Sequence, residues 1–347
     1  MLIVMKKDAQ RREIEAVLQV VDEMGFRSHE LPGETRTAIG ITGNNGSVDP
    51  AHFENMSGVA RAISVTKPFK LITRDARSEP SVISIGNESV GGGSLAVIAG
   101  PCAVETKEQV FEIARIVADS GVKMFRGGAY KPRSSPYSFQ GLGEEGLKML
   151  RDVREQNGLA IVTEAMDEHG LDMVVKYGDC IQIGARNMQN FTLLKYAGQA
   201  KLPVLLKRGM SATLDEFLLA AEYIMSEGNY NVILCERGIR TFADHSRNTV
   251  DISVIPAVQR TSHLPIIVDP SHSTGHNYMV DPIARAAVAA GADGIIIDVH
   301  TRPQEALCDG AQALKPEQYL QMLHKLRTLH RLLIEAEVQT SAAISSE

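Results

Sequence analysis

The chain has 347 residues, a formal net charge of −6, 22% charged and 44% hydrophobic residues. That length suits one large domain, or one large and one small. The mild acidic balance argues against a dedicated nucleic-acid binder, so any anionic substrate must be held by locally clustered Lys and Arg. Four widely spaced cysteines without a CxxC pair form no disulfide framework, and Lys6 and Lys7 come too early for a signal segment. No apolar run reaches the ~18 residues of a membrane helix. A cytoplasmic protein engaging neither nucleic acid nor membrane is expected.

Residues 1–66 form a short, patterned segment. Leu2–Met5 reads as a strand. Glu13–Met24 places Ile14, Val17, Leu18 and Val21 at helical spacing. Strand candidates follow at 27–31 and 38–41, the latter running into TGNNGS turn chemistry. A short helix over 50–56 has Asp49 as its N-cap, and a strand covers 59–65. The order βαββαβ predicts a small ferredoxin-like domain. Such modules bind amino acids or mediate assembly; a structural appendage is the plainer alternative. Residues 67–94 are polar and carry Gly91, Gly92 and Gly93 in a row, read as a linker and a barrel-capping hairpin.

From 95 to 335 one unit repeats: an apolar, β-branched run, a polar loop and an amphipathic stretch. The runs start at Leu95, Val122, Leu159, Cys180, Pro203, Asn231, Pro265 and Gly294. Helix-like stretches such as 109–120, 214–227 and 282–290 lie between them. Continuous apolar strands alternating with helices indicate a parallel sheet covered on both faces. Eight units predict an α/β fold of the (β/α)8 TIM-barrel type. A doubly wound open sheet is the alternative, but its phosphate loop position reads AGPCAVET. Residues 316–335 have helical spacing and close the barrel; 336–347 are small and polar, and disorder is expected there.

Active-site groups of a barrel sit at the C-terminal ends of its strands. All eight runs end in polar or ionisable residues. One set is cationic: Arg126, Lys131, Arg133, Arg186, Lys207 and Arg237. Converging cations need anions, and phosphate and carboxylate fit both Arg and Lys. Pairing with Glu164, Glu236 and Asp269 is the structural alternative, but three acids do not neutralise six cations. The second set is Cys102, His272, Asp298 and Asp309, a plausible divalent transition-metal site. Each alone has a bland reading as buried filler, loop or turn residue.

The motifs GPCAVE, RGGAYKPRSSPYSFQGLG, QIGARNMQNF, LLKRG, ILCERGIRTF, DPSHSTG and GADGIII with VH and DG beyond it carry a resemblance over nearly the whole chain. It resembles the 3-deoxy-D-arabino-heptulosonate 7-phosphate (DAHP) synthase family, in the form with an N-terminal ferredoxin-like regulatory domain. The resemblance implies that phosphoenolpyruvate sits on Arg126, Lys131, Arg186, Lys207 and Arg237. Erythrose 4-phosphate would lie on the Lys131-Pro132-Arg133-Ser134 loop. A divalent cation (Mn, Fe, Co or Zn) would be held by Cys102, His272, Asp298 and Asp309. Lys131 would bridge the substrates, and Glu164 or a water would manage a proton; these join Cys102 and His272 as the catalytic set. Feedback by tyrosine or phenylalanine and a homotetramer are also implied.

Three departures from the family pattern stand out. Asp298 takes the place of a usual Glu, Cys308 replaces a small polar residue, and ADHSRNT carries His245 and Ser246. Oxidation joining Cys102 to Cys308 is one reading of the second; an inert small residue is the other. Competing functions are a Schiff-base aldolase on Lys207, a synthase using arabinose 5-phosphate or making sialic acid, and an amino-acid sensor on a decayed barrel. The KPRSS motif favours erythrose 4-phosphate.

Overall fold

The computed structural model describes the chain except residues 34–35, 45–47, 64–68, 134 and 345–347, and the side chains of 337 and 340–344. The first segment folds as β1 (Leu2–Met5), α1 (Arg11–Glu23), β2 (Arg27–Pro32), β3 (Thr37–Thr42), α2 (Ala51–Glu54) and β4 (Val59–Ile63). Its strands form an antiparallel sheet in the order β2-β3-β1-β4, the ferredoxin-like arrangement. Helix α1 buries Ile14, Val17 and Val21 in one cluster with Ile3, Met5, Ile39 and Ile41 of the sheet. Asp49 accepts the Ala51 N–H at 3.0 Å, and α2 is shorter than the stretch 50–56. The end of the strand expected over 59–65, the boundary at 66, and 45–47 of the TGNNGS turn lie outside the described residues.

After the hairpin β5 (Ile83–Ile85) and β6 (Glu88–Val90), eight parallel strands close a barrel. They are β7 (Ala96–Gly100), β8 (Met124–Arg126), β9 (Ala160–Ala165), β10 (Cys180–Ile183), β11 (Val204–Lys207), β12 (Val232–Glu236), β13 (Ile266–Val268) and β14 (Gly294–Asp298). The helices are α3 (Lys107–Asp119), α4 (Glu144–Asn157), α5 (Glu168–Tyr177), α6 (Phe191–Gln199), α7 (Leu214–Ser226), α8 (Val254–Thr261), α9 (Pro270–Thr274), α10 (Asn277–Ala289) and α11 (Pro316–Ile344). This is the TIM barrel with a ferredoxin-like domain that the sequence predicts.

The continuous apolar runs reflect burial on both strand faces. In β14, Ile295 and Ile297 join the layer shared with the helices, while Ile296 joins the barrel interior. Ile83, Ile85 and Val90 of the hairpin join that interior layer too. Gly86 abuts Ala160 at the start of β9, so the hairpin plugs the end opposite the functional rim.

Two helices differ from their expected bounds. Helix α10 starts at Asn277 and holds Pro282 inside, where a proline reads as a start. Helix α11 continues to Ile344 in place of the disordered tail expected from 336. The sequence after Glu335 has neither Gly nor Pro, so nothing stops the helix.

The stretch read as a linker is pinned down. Phe69, Leu71 and Ile72 are buried. Glu222 on α7 accepts the backbone N–H groups of Lys70, Leu71 and Ile72 at 2.8–3.1 Å. Lys70 donates to the Ile41 carbonyl at 3.1 Å, tying the joint back to the small domain. His29 completes the contact, 2.7 Å from the Thr42 hydroxyl and 3.0 Å from that of Tyr230. Burial pushes its pKa down to about 4. Glu222→Ala strands three backbone donors, and each buried unsatisfied donor costs about 1–3 kcal/mol. Denaturant unfolding should show a loss of about 3 kcal/mol, and a smaller loss for Glu222→Gln. An unchanged midpoint for Glu222→Ala contradicts the anchoring role.

Candidate active site

The DPSHSTG motif builds one corner of the rim. Asp269 caps α9: its Oδ1 accepts the His272 N–H at 2.9 Å, Pro270 fills the first helical turn, and Gly275 ends it at φ 74°. The same carboxylate holds the ring, with Oδ2 2.9 Å from His272 Nδ1, and pairs with buried Lys207. This arrangement places the ring proton on Nδ1 and leaves the Nε2 lone pair facing the rim. Burial pushes the Asp269 carboxyl up, yet His272 and Lys207 outweigh it and hold it well below the usual range.

Opposite Nε2 stand Cys102 and Asp309. Cys102 Sγ is 3.6 Å from Nε2 and 3.3 Å from Asp309 Oδ2, which lies 3.9 Å from Nε2. Asp309 adopts φ 51°, alone in positive φ among the described non-glycine residues. Aspartate tolerates that conformation, and here it aims the carboxylate at the cluster. The Cys102 thiol is held well below its usual range, first by the hydrogen bond with Cys308 and then, against burial, by Lys131 and His272. Lys131 donates to the Cys102 carbonyl at 3.0 Å and its sulfur at 3.2 Å. Cys308 Sγ is 3.7 Å from Cys102 Sγ, and both are free thiols.

Asp298 stands beside Cys102 and His272, with a ligand atom of each within 4.8 Å of the others. It pairs with Arg126, accepts Gln312 Nε2 at 2.6 Å, and places Oδ2 3.6 Å from His272 Nδ1. Two triads have ligand atoms within 4.8 Å of one another: Cys102, His272 and Asp298, and Cys102, Cys308 and Asp309. In the first, Asp298 is also engaged by Arg126 and Gln312.

All six cations of the sequence reading line one cavity of about 330 Å³, with Pro132, Glu164, His272 and Asp309. The loop carrying Lys131 and Arg133 folds back through Gly141: its N-side neighbour Gln140 accepts the Lys131 N–H at 2.9 Å, and a Cβ at Gly141 would sit 2.1 Å from the Ala129 carbonyl. Ser134 lies outside the described residues. Arg126 and Lys207 pair with Asp298 and Asp269. Arg133 donates to Cys308 Sγ at 2.8 Å, and Arg186 to the Pro132 carbonyl at 3.3 Å. Glu236, one of the expected counter-charges, pairs with Arg208 instead, at 3.0 Å. Among the described residues, Lys131, Arg133, Arg186 and Arg237 have no carboxylate ion pair.

Two rim residues escaped sequence reasoning. Arg247 donates to Asp309 Oδ1 at 3.1 Å and to Gln312 Oε1 at 3.2 Å, and it lines the cavity. It belongs to the ADHSRNT loop, where the Ser246 hydroxyl donates to the Asn248 carbonyl at 3.1 Å. Gln312 lies just past Asp309 in the DGAQ turn, and only its proximity to a ligand candidate could have marked it.

Glu164 accepts Gln182 Nε2 at 3.1 Å and leans over Gly184, where a Cβ would lie 2.1 Å from its Oε1. Gly184→Ala must therefore push a flexible carboxylate aside, not break the fold. Melting should change little, while turnover falls on the order of 100-fold, as for misplaced catalytic groups. Turnover unchanged in Gly184→Ala contradicts a role for Glu164.

Comparison with known proteins agrees with this geometry. Residues 73–335 match the family described as DAHP synthetase I, and residues 1–67 match the DAHP synthase ferredoxin-like domain. A phospho-2-dehydro-3-deoxyheptonate aldolase of Thermotoga maritima is 48% identical, over 95% of this chain and 97% of its own. A 2-dehydro-3-deoxyphosphooctonate aldolase of Desulfosudis oleivorans is 31% identical over 73% of this chain and 97% of its own. The crystal structure of the Thermotoga maritima DAHP synthase superposes with a TM-score of 0.76 at 46% identity, covering 96% of this chain and 97% of that one. The chain belongs to the DAHP synthetase I family and is an enzyme of the 3-deoxy-7-phosphoheptulonate synthase class.

Proposed function

We propose that this chain condenses phosphoenolpyruvate with erythrose 4-phosphate and water, giving DAHP and phosphate, the first step of the shikimate pathway. The observation that carries the reading is the single cavity where four cations without carboxylate partners stand beside Cys102, His272 and Asp309. Two phosphorylated substrates supply the anions that such a cluster lacks.

Arg126, Arg186, Lys207 and Arg237 bind the phosphate and carboxylate of phosphoenolpyruvate. Arg133 and Ser134, on the loop shaped by Pro132, bind the erythrose phosphate. C3 of phosphoenolpyruvate attacks the aldehyde carbon and the new carbon–carbon bond forms. Lys131 Nζ donates to the aldehyde oxygen as charge develops there. Water adds at C2, Glu164 takes its proton, and the C2–oxygen bond breaks with the electron pair leaving on phosphate. A thiolate, an imidazole lone pair and carboxylates converge at Cys102, His272, Asp309 and the neighbouring Asp298, a donor set that fits a divalent transition ion such as Mn, Fe, Co or Zn. When bound there, that ion supplies Lewis-acid polarisation of the aldehyde.

Lys207 pairs with Asp269, which disfavours it as a Schiff-base nucleophile. The ferredoxin-like domain serves as the feedback unit for tyrosine or phenylalanine, and the enzyme works as a cytoplasmic homotetramer. No described helix is long and apolar enough to cross a membrane.

Consumption of phosphoenolpyruvate tests this reading. Erythrose 4-phosphate should be preferred over arabinose 5-phosphate by at least about tenfold, with activity abolished by chelator and restored by a divalent ion. Tyrosine or phenylalanine should inhibit the full chain and not one lacking residues 1–66. Preference for arabinose 5-phosphate, or full activity in chelator, contradicts the proposal.

A further inference from the structure

We propose that Cys308 joins Cys102 and Asp309 as a ligand of the metal site, making it a two-thiolate centre. The inference rests on the metal reading above and adds a second thiolate to the set Cys102, His272, Asp298 and Asp309 that the resemblance implies.

The spacing of the donors carries it. Two thiolates held at ~2.3 Å by one tetrahedral ion lie about 3.8 Å apart. Cys102 Sγ and Cys308 Sγ are 3.7 Å apart. Sulfur to oxygen or nitrogen across such an ion is roughly 3.5 Å. Cys308 Sγ is 3.4 Å and Cys102 Sγ 3.3 Å from Asp309 Oδ2, and Cys102 Sγ is 3.6 Å from His272 Nε2. The three edges of the Cys102–Cys308–Asp309 triad lie near those expected for one face of a tetrahedron, and His272 Nε2 stands 3.6 Å from Cys102 Sγ and 3.9 Å from Asp309 Oδ2.

Asp298 carries other contacts as well. Its oxygens face Arg126 and Gln312, and Oδ2 lies 3.6 Å from His272 Nδ1. Asp298 thereby helps Asp269 to orient the ring and holds Arg126 at the cavity.

The surroundings of Cys308 support ligation. It is 4% exposed and packs with Cys102 and Ala103. Arg133 points a guanidinium N–H at its sulfur from 2.8 Å. A thiol that merely filled space would not need a cationic donor, whereas a ligating thiolate takes such hydrogen bonds from its outer partners. A second sulfur also softens the site, favouring Zn²⁺ and Co²⁺ over Mn²⁺.

The test uses the full chain under reductant, loaded with Zn²⁺ or Co²⁺ alone. X-ray absorption at the zinc edge should count two sulfurs in the wild type and one in Cys308→Ser. The thiolate-to-cobalt charge-transfer band per bound ion should fall about two-fold in Cys308→Ser and persist in Asp298→Asn. One sulfur in the wild type, or a band that Cys308→Ser leaves unchanged, overturns the proposal. A wild-type protein that binds neither ion overturns the metal reading itself, and is told apart by metal content alone.

Discussion

Asp269 holds Lys207, the His272 ring and the His272 backbone N–H with one fully buried carboxylate. Both neighbouring subsites depend on that arrangement. On one side it sets the imidazole so that Nε2 faces Cys102 and Asp309. On the other it fixes a lysine ammonium at the wall of the anion cavity. A carboxylate without its partners is costly to bury, and a buried cation is equally so without the carboxylate. The three groups therefore stand or fall together, and a change at any one reaches both the Cys102–Asp309 corner and the anion cavity.

Charge is distributed unevenly for the same reason. The chain carries a net −6, yet its rim gathers seven cations, only three of them matched by carboxylates among the described residues. Lys131 and Arg133 rest on sulfur, and Arg186 on a carbonyl. Field lines in a low-dielectric cleft favour anions at that mouth despite the acidic whole. The opposite end of the barrel is closed by the hairpin β5–β6, and the small domain joins through the Glu222 anchor.

Much of this was legible in the sequence. A barrel strand is buried on both faces, so its run is continuously apolar and its end is marked by the first ionisable group. That physical rule located Lys207, Arg237 and His272 without any structure. It does not report direction. Asp298 stands at its expected strand end, but its carboxylate is also claimed by Arg126 and Gln312. Arg247 lies in an irregular loop whose polar residues all look alike. Glu222 sits on a helix where an acidic residue reads as solvated, while three buried backbone donors claim it. Likewise, the polar 336–344 stretch looks disordered by composition, yet lacks any residue that ends a helix.

The bridging oxygen of phosphoenolpyruvate offers the most direct measurement of the chemistry assigned to this rim. The substrate carries a heavy-oxygen label between C2 and phosphorus, with erythrose 4-phosphate and a divalent ion present. Attack through C3 with water adding at C2 sends the label into the released phosphate and leaves the seven-carbon product unlabelled. Label retained in that product, or phosphate released without a seven-carbon product, contradicts the assigned reaction.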